Sequence, residues 1–265
     1  MADTKLFNIK GTVKEYQSGT VTLEKELQTV IENNMNLFFG VTFLASEYRT
    51  TDGGRMDSIG IDENHCPVIF EYKRSVKENV INQGLFYLNW LLDHKDSFKV
   101  LVIEKLGMKA ASNIDWTMPR VICVAGDFTK YDESAIKQMN RNISLIRYKK
   151  FGEYLLMFEQ VNENIATAIP EDEPAGKARP TDKTFDEQMR NADDSIKVLY
   201  ENLSNYILSL GDDISESHLK LYAAFKKIRN VVTVVAQKKK LILNLPLDVS
   251  TVSFEEGFSR DVTNI

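Results

Sequence analysis

Residues 54–73 read GRMDSIGIDENHCPVIFEYK, and this stretch predicts a β-hairpin. Two mainly apolar segments with strand-like patterns flank a polar turn at residues 62–67. If the turn centres near Asn64, Asp57 on the first strand lies opposite Glu71 on the second. Directly opposed residues on one face have Cβ atoms about 4.5–5.5 Å apart. The hairpin therefore predicts two carboxylates in contact distance of each other.

The second strand also carries a lysine, and its position gives the pair of carboxylates a chemical meaning. Glu71 and Lys73 are two residues apart, so both share the face of Asp57. Two neighbouring carboxylates repel each other unless a cation lies between them, and hard oxygen ligands suit Mg²⁺ or Mn²⁺. The pattern predicts a metal site made of Asp57, Glu71 and the backbone carbonyl of Tyr72. Lys73 would contact the metal-bound water or a substrate phosphate.

Helices on either side of the hairpin add polar residues to this region. Residues 76–95, VKENVINQGLFYLNWLLDHK, predict a helix on which Gln83 and Tyr87 share one face, where they could orient water or phosphate. Residues 21–39, VTLEKELQTVIENNMNLFF, predict an earlier helix that could supply Glu24 as a third carboxylate. Glu26 and Glu32 lie on the same helix, and any of the three glutamates could be plain solvated surface.

Four short motifs together resemble the PD-(D/E)xK nuclease superfamily, in particular its RecB-like and NucS-like branch. They are EKELQTVIENN (24–34), GRMD (54–57), EYK (71–73) and QGLFY (83–87). The resemblance selects Glu24 over Glu26 and implies a restriction-endonuclease-like α/β fold, a mixed central sheet flanked by helices. It further implies a deoxyribonuclease that uses Mg²⁺ or Mn²⁺, in DNA repair or in defence against foreign DNA. The catalytic residues that it implies are Glu24, Asp57, Glu71, Lys73, Gln83 and Tyr87.

Basic residues beside this set are candidates for contacting a nucleic acid. Arg55 lies within GRMD, and Arg74 and Lys77 follow the second strand, where they could line a path for phosphates. Arg55 could equally pair with an acidic side chain. Taken alone, Glu71 and Lys73 favour a structural ion pair on a strand, and their combination with Asp57 favours an active site.

The chain predicts two domains separated by a linker. Residues 166–184 contain three of the six prolines and no aromatic residue, which is typical of a linker, so we expect a nuclease-like domain at 1–165 and a smaller α+β domain at 185–265. Within the first domain, KVLVIEKL (99–106) and RVICVAGDF (120–128) have the apolar runs of buried strands.

The second domain predicts a helix at 185–210, a segment at 219–226 that could be helix or strand, and a hairpin of 231–236 with 241–245. It resembles a small domain of unknown function often found behind such nucleases, whose pattern continues beyond Ile265. The domain is therefore either naturally short or truncated.

Composition excludes several classes of function. A net charge of −5 and a pI near 5.4 argue against a protein that coats nucleic acid with a basic surface, although a local basic groove is compatible with them. No segment has the roughly 18 apolar residues of a membrane span or the pattern of a signal peptide, so we expect a cytoplasmic protein with two unpaired cysteines. Three scattered histidines form no zinc motif.

A second possibility for the function is a module that binds nucleic acid or a partner protein without cleaving it. The second domain could sense an effector or form a homodimer.

Overall fold

The chain forms two compact units, Met1–Gly176 and Lys177–Ile265. The computed structural model describes residues 4–19, 24–73, 80–164, 184–219 and 221–262. Most of the predicted linker lies outside these residues. None of the described helices combines the length and the apolar composition that crossing a membrane requires.

The first unit contains nine strands and six helices among its described residues. In chain order they are β1 (Leu6–Asn8), β2 (Lys14–Tyr16), β3 (Ser18–Gly19), α1 (Glu24–Asn33), α2 (Met35–Phe39), β4 (Val41–Arg49), β5 (Arg55–Asp62), β6 (Pro67–Lys73), α3 (Val80–Asp93), α4 (Lys95–Leu106), α5 (Met108–Ala111), β7 (Arg120–Ala125), α6 (Lys130–Ile136), β8 (Asn142–Phe151) and β9 (Leu155–Asn164). The predicted strand at 120–128 and the predicted helix after the hairpin are confirmed as β7 and α3. The predicted helix at 21–39 is two helices, α1 and α2, which meet at Asn34.

Seven of these strands form a mixed central sheet, which confirms the predicted fold class. The strand order is β3-β8-β7-β6-β5-β4, with β9 paired to the other side of β8. Strands β6, β7 and β8 run parallel to one another, whereas β4, β5 and β6 form an antiparallel meander. Helices lie on both faces of the sheet. Phe70 of β6 packs on Phe39 of α2 with ring centroids 5.3 Å apart, and Ile69 points to the opposite face, into a core shared with α3 and α4.

The hairpin of β5 and β6 has the register that the sequence predicts. Ser58 pairs with Phe70, Ile59 with Ile69, and the ladder continues to the polar turn. This alternation places Asp57 and Glu71 on the face of the sheet that α3 and α4 cover. The register matters because a slip of one residue would turn Glu71 to the face opposite Asp57 and separate the two carboxylates.

The prediction of a strand at residues 99–106 is wrong, because these residues belong to helix α4. The run of Val100, Val102 and Ile103 suggested a strand, since β-branched residues favour that structure. The buried residues of α4 are Phe98, Leu101 and Val102, whereas Val100 is half exposed. This spacing of three and four residues is helical, so packing against the core outweighs the local preference for strand.

The second unit places two helices beside a four-stranded antiparallel sheet. Its elements are α7 (Phe185–Asn191), α8 (Asp194–Ser209), β10 (Ser215–His218), β11 (Ala223–Lys226), β12 (Asn230–Gln237) and β13 (Lys240–Asn244). The predicted hairpin is confirmed as β12 and β13, and the ambiguous segment contains a strand, β11. The single helix predicted at 185–210 is two helices. The chain is extended at Ala192 and Asp193, where the Asp193 amide donates to the carbonyl of Lys238.

A polar cluster in the second unit links α8 to β10. The Glu216 carboxylate accepts hydrogen bonds from Tyr200, from Ser204 at 2.6 Å and from His218 at 2.8 Å. These donors, with His218 first among them, lower the pKa of Glu216 to about 2. The three hydrogen bonds of this carboxylate tie the helix to the strand.

Candidate active site

Asp57 and Glu71 lie where the ladder between β5 and β6 ends, and each carboxylate binds the backbone of the neighbouring strand. Glu71 Oε1 accepts from the Asp57 amide at 3.3 Å, and Asp57 Oδ2 accepts from the Tyr72 amide at 3.0 Å. Glu71 is 0% exposed and Asp57 is 9% exposed. Backbone amides therefore orient both carboxylates in an environment largely closed to water.

Burial changes the protonation of this pair. Desolvation, reinforced by the negative charge of Asp57, raises the pKa of Glu71 to about 9. Desolvation also raises the pKa of Asp57, against the opposing effects of the Tyr72 amide and of the charge on Lys73. At neutral pH and without a bound cation, Glu71 therefore keeps its proton, because placing two charges at one buried site is costly.

The Oε2 atom of Glu71 is the candidate ligand for a metal ion. Glu71 Oε2 is buried and has no hydrogen-bond partner. A buried carboxylate oxygen without a partner costs free energy, and a divalent cation beside Asp57 would remove that cost. Within the described residues, no group of three His, Cys, Asp or Glu side chains could hold a metal. An ion here would be bound by two carboxylates, the Tyr72 carbonyl and water, a ligand set that Mg²⁺ tolerates.

Lys73 ends β6 beside these carboxylates and meets the first helix. Its Nζ lies 3.6 Å from Glu24 Oε1 at the start of α1, and its side chain is 13% exposed. Glu26 of the same helix pairs with Lys150 instead, at 3.3 Å. The structure thus brings Glu24, and not Glu26, to the lysine.

Gln83 and Tyr87 come together on α3, and Tyr87 contacts the start of β5. Gln83 Nε2 lies 3.5 Å from Tyr87 Oη, which accepts a hydrogen bond from the Arg55 amide at 3.1 Å. Tyr87 is 7% exposed. A Cβ on Gly54 would lie 2.7 Å from the Tyr87 ring, so only glycine lets the ring approach the strand this closely. Tyr87 therefore anchors the strand that carries Asp57.

The candidate nucleic-acid contacts have different outcomes. The Arg55 Nη1 atom lies 2.5 Å from Glu47 Oε2, so of the two possibilities for this arginine the structure shows the pairing with an acid. Its charge also lowers the pKa of Asp57, which places it within electrostatic range of the carboxylate pair. Arg74 and Lys77 lie outside the described residues.

A hydrogen-bond network behind the hairpin was not found from the sequence. Tyr72 Oη donates to Ser58 Oγ at 3.1 Å, and Ser58 Oγ donates to Glu32 Oε1 at 2.6 Å. Gln28 Nε2 donates to the same Glu32 oxygen at 2.8 Å and to the backbone carbonyl of Asp57 at 2.8 Å. This back-face network ties α1 to both strands of the site. Its one signal in the sequence is the spacing of Glu24, Gln28 and Glu32, which puts three polar side chains on one helix face.

Removing Gln28 tests the back-face network. We expect Gln28→Ala to lower the free energy of unfolding by about 1–3 kcal/mol, because it leaves the buried Asp57 carbonyl without its donor. We also expect weaker Mn²⁺ binding in calorimetry, since the strand that carries Asp57 loses its support. Thr29→Ala is the matched control, because Thr29 is exposed and its hydroxyl donates to the Lys25 carbonyl of its own helix. Equal metal affinity in Gln28→Ala and wild type would show that the network acts on stability alone.

Among known proteins, one relative aligns along most of the chain. No protein-family model matches the chain. An uncharacterized protein of Haemophilus influenzae is 30% identical over 264 residues, which cover 96% of this chain and 87% of the relative. Two solved structures align with about half of this chain and about half of their own: a repair endonuclease from Pyrococcus abyssi (19% identity, TM-score 0.33) and an EndoMS complex with double-stranded DNA (20% identity, TM-score 0.29). Likenesses of this size bear on neither the function nor the site.

Proposed function

We propose that this chain, which belongs to the same family as the uncharacterized Haemophilus influenzae protein, is a nuclease that hydrolyses phosphodiester bonds of DNA with Mg²⁺ or Mn²⁺. One observation carries the proposal: a fully buried oxygen of Glu71 without a partner, beside Asp57 and with Lys73 at the end of the same strand. The proposed nuclease domain spans residues 1–165, and DNA as the substrate rests on the four motifs that resemble the PD-(D/E)xK superfamily.

Five residues of the site have proposed roles. Asp57, Glu71 and the Tyr72 carbonyl would hold the ion, which supplies a bound water of lowered pKa and stabilises charge on the phosphate. Lys73 places a positive charge next to the site, where it can contact the phosphate or orient the attacking water, and Glu24 holds the Lys73 ammonium at 3.6 Å. Low exposure strengthens these electrostatic interactions, because little water competes for them.

The alternative is a module that binds nucleic acid or protein without cleavage. The net charge of −5 and the second unit, which has no assigned catalytic role, motivate it. The complete set of Asp57, Glu71 and Lys73 favours a nuclease, because binding alone needs no buried pair of carboxylates. The second unit, whose role we propose as dimerisation or effector sensing, is compatible with both functions.

The proposal predicts cleavage that needs both a metal and Asp57. We expect the purified full-length chain to cut DNA with Mn²⁺ or Mg²⁺ and to lose cleavage in EDTA. The panel should contain single-stranded, double-stranded, branched and modified DNA, together with RNA. Asp57→Asn should lose cleavage and bind Mn²⁺ more weakly in calorimetry, because one of the two anionic ligands becomes neutral.

The same panel separates the two functions. Retention of DNA without cleavage under every metal condition would favour the binding module. Absence of both metal binding and cleavage on every substrate would end the nuclease proposal.

A further inference from the structure

Glu47 bridges two cationic side chains at the edge of the candidate active site. Its two oxygens lie 3.1 Å from Lys25 Nζ and 2.5 Å from Arg55 Nη1. Both cations are more than half exposed, at 58% and 53%, so solvent and ligands can reach them. One anionic group thus already occupies the space between an ammonium and a guanidinium.

The backbone at Glu47 is unusual for a residue in a strand. Its φ angle is 54°, in the left-handed region that a non-glycine residue rarely adopts. Ser46 and Tyr48 pair with the residues on either side of Asp57 in β5, so Glu47 interrupts β4 at the level of Asp57. Arg55 acts on the carboxylate pair through its charge, which lowers the pKa of Asp57, and Glu47 joins Lys25 to Arg55.

Stability alone is a weak explanation for this arrangement. A residue held in a sparsely populated backbone region has an energetic cost, and an exposed ion pair contributes little to stability. The two ion pairs of Glu47 therefore barely offset the backbone cost. Residues of this kind concentrate at functional sites, where neighbouring structure holds them in place.

We infer that Lys25 and Arg55 form a subsite for a backbone phosphate of the substrate, and that Glu47 occupies the position of this phosphate in the free protein. The inference rests on the proposed function and adds a contact to it, a phosphodiester next to the one that is cleaved. A phosphodiester and a carboxylate each carry one negative charge, so exchanging one for the other leaves the charge of the subsite unchanged. Guanidinium also matches the two oxygens of a phosphate better than ammonium does.

The subsite is linked to the carboxylates by a hydrogen-bonded side chain. Lys25 Nζ donates to Gln28 Oε1 at 3.2 Å, and the amide nitrogen of Gln28 donates to the Asp57 carbonyl. A phosphate held by Lys25 would therefore lie next to Gln28, the side chain that supports the backbone of Asp57. Glu47, for its part, excludes anions that bind too weakly to displace it, which favours a polyanion with phosphates at several positions over a lone anion.

The test measures binding of a fluorescently labelled single-stranded oligonucleotide by anisotropy, in EDTA and in Ca²⁺, across a series of salt concentrations. We expect Glu47→Gln to raise affinity about 5–10-fold at low salt, because a competing charge leaves the subsite. The slope of log affinity against log salt should steepen by about 0.7, the value for one more phosphate contact on a single strand.

Lys25→Ala should weaken binding of the oligonucleotide and flatten the slope. The gain in affinity from Glu47→Gln should disappear in the double variant. Glu47→Gly is the second variant, since glycine adopts this φ freely and should give the same gain in a stably folded protein.

Glu26→Gln is the matched control, because it removes a carboxylate from an ion pair on the same helix as Lys25. If Glu26→Gln raises affinity as much as Glu47→Gln, the effect is one of overall charge and the subsite is wrong. The wild type could also bind the oligonucleotide with an affinity that neither Glu47→Gln nor Lys25→Ala changes. That result overturns the subsite, and the nuclease proposal stands. If the wild type binds no oligonucleotide, single- or double-stranded, in either condition, the proposed function itself fails.

Discussion

Replacing Lys73 with alanine is expected to slow DNA cleavage by about 10²–10⁴-fold, the range for losing one group that transfers a proton or stabilises charge at the reacting phosphate. Lys73 is the cation at the end of β6, within range of both carboxylates, and its charge lowers the pKa of each. The fold should persist, because Glu24 at 38% exposed remains solvated once its partner is gone. Single-turnover cleavage and thermal unfolding of the same preparations measure both effects.

Lys150→Ala is the control for Lys73→Ala. Lys150 also pairs with a glutamate of α1, at 3.3 Å, so its removal costs a similar ion pair away from the carboxylates. We expect its cleavage rate to stay within a few-fold of wild type. Equal cleavage by Lys73→Ala and wild type would reduce Lys73 to a structural partner of Glu24.

Glu71→Gln should abolish metal binding and at the same time stabilise the metal-free protein at high pH. The pKa of Glu71 is raised from about 4.5 to about 9 in the folded chain, so between these values the native state holds a proton that the unfolded state has lost. The free energy of unfolding of the wild type therefore falls as pH rises through this window, with a slope approaching about 1.4 kcal/mol per pH unit. Glutamine cannot ionise, and its amide can donate to Asp57, so this loss should disappear in the variant.

Urea unfolding in EDTA from pH 5 to pH 9 measures this effect, and Mn²⁺ calorimetry measures the loss of metal binding. Adding Mn²⁺ should restore stability to the wild type at high pH and leave Glu71→Gln unchanged, because only the wild type gains a ligand of the native state. Glu26→Gln, at an exposed carboxylate, controls for the loss of one negative charge. Parallel stability curves for wild type and Glu71→Gln would mean that Glu71 ionises in the folded protein without cost.

The hairpin and its register were predictable because their determinants are local. A short polar turn between two apolar strands leaves little freedom in pairing, and a slip would bury the wrong side chains. Asp57, Glu71 and Lys73 follow from that register alone. Helix α4 was not predictable in the same way, since the identity of Val100 and Val102 favours a strand and only packing against the core distinguishes their environments.

The remaining parts of the site depend on contacts between residues far apart in the chain. Gln28 contacts Asp57 across 29 positions and Glu32 contacts Ser58 across 26, so neither pairing can be derived from local spacing. Strand β4 was not predicted, and the left-handed backbone of Glu47 has no signal in the sequence, because glutamate is not a residue that favours it.

The end of the ladder between β5 and β6 gives the site a built-in reporter. The last paired residues are Ser58 and Phe70, and beyond them carboxylates, instead of carbonyl groups, accept the amide hydrogens of Asp57 and Tyr72. Protonating or metallating either carboxylate changes the strength of these two bonds directly. The chemical shift and the solvent exchange of two backbone amides are therefore coupled to the occupancy of the site, and a spectrum of the backbone can follow its ligand state without any substrate.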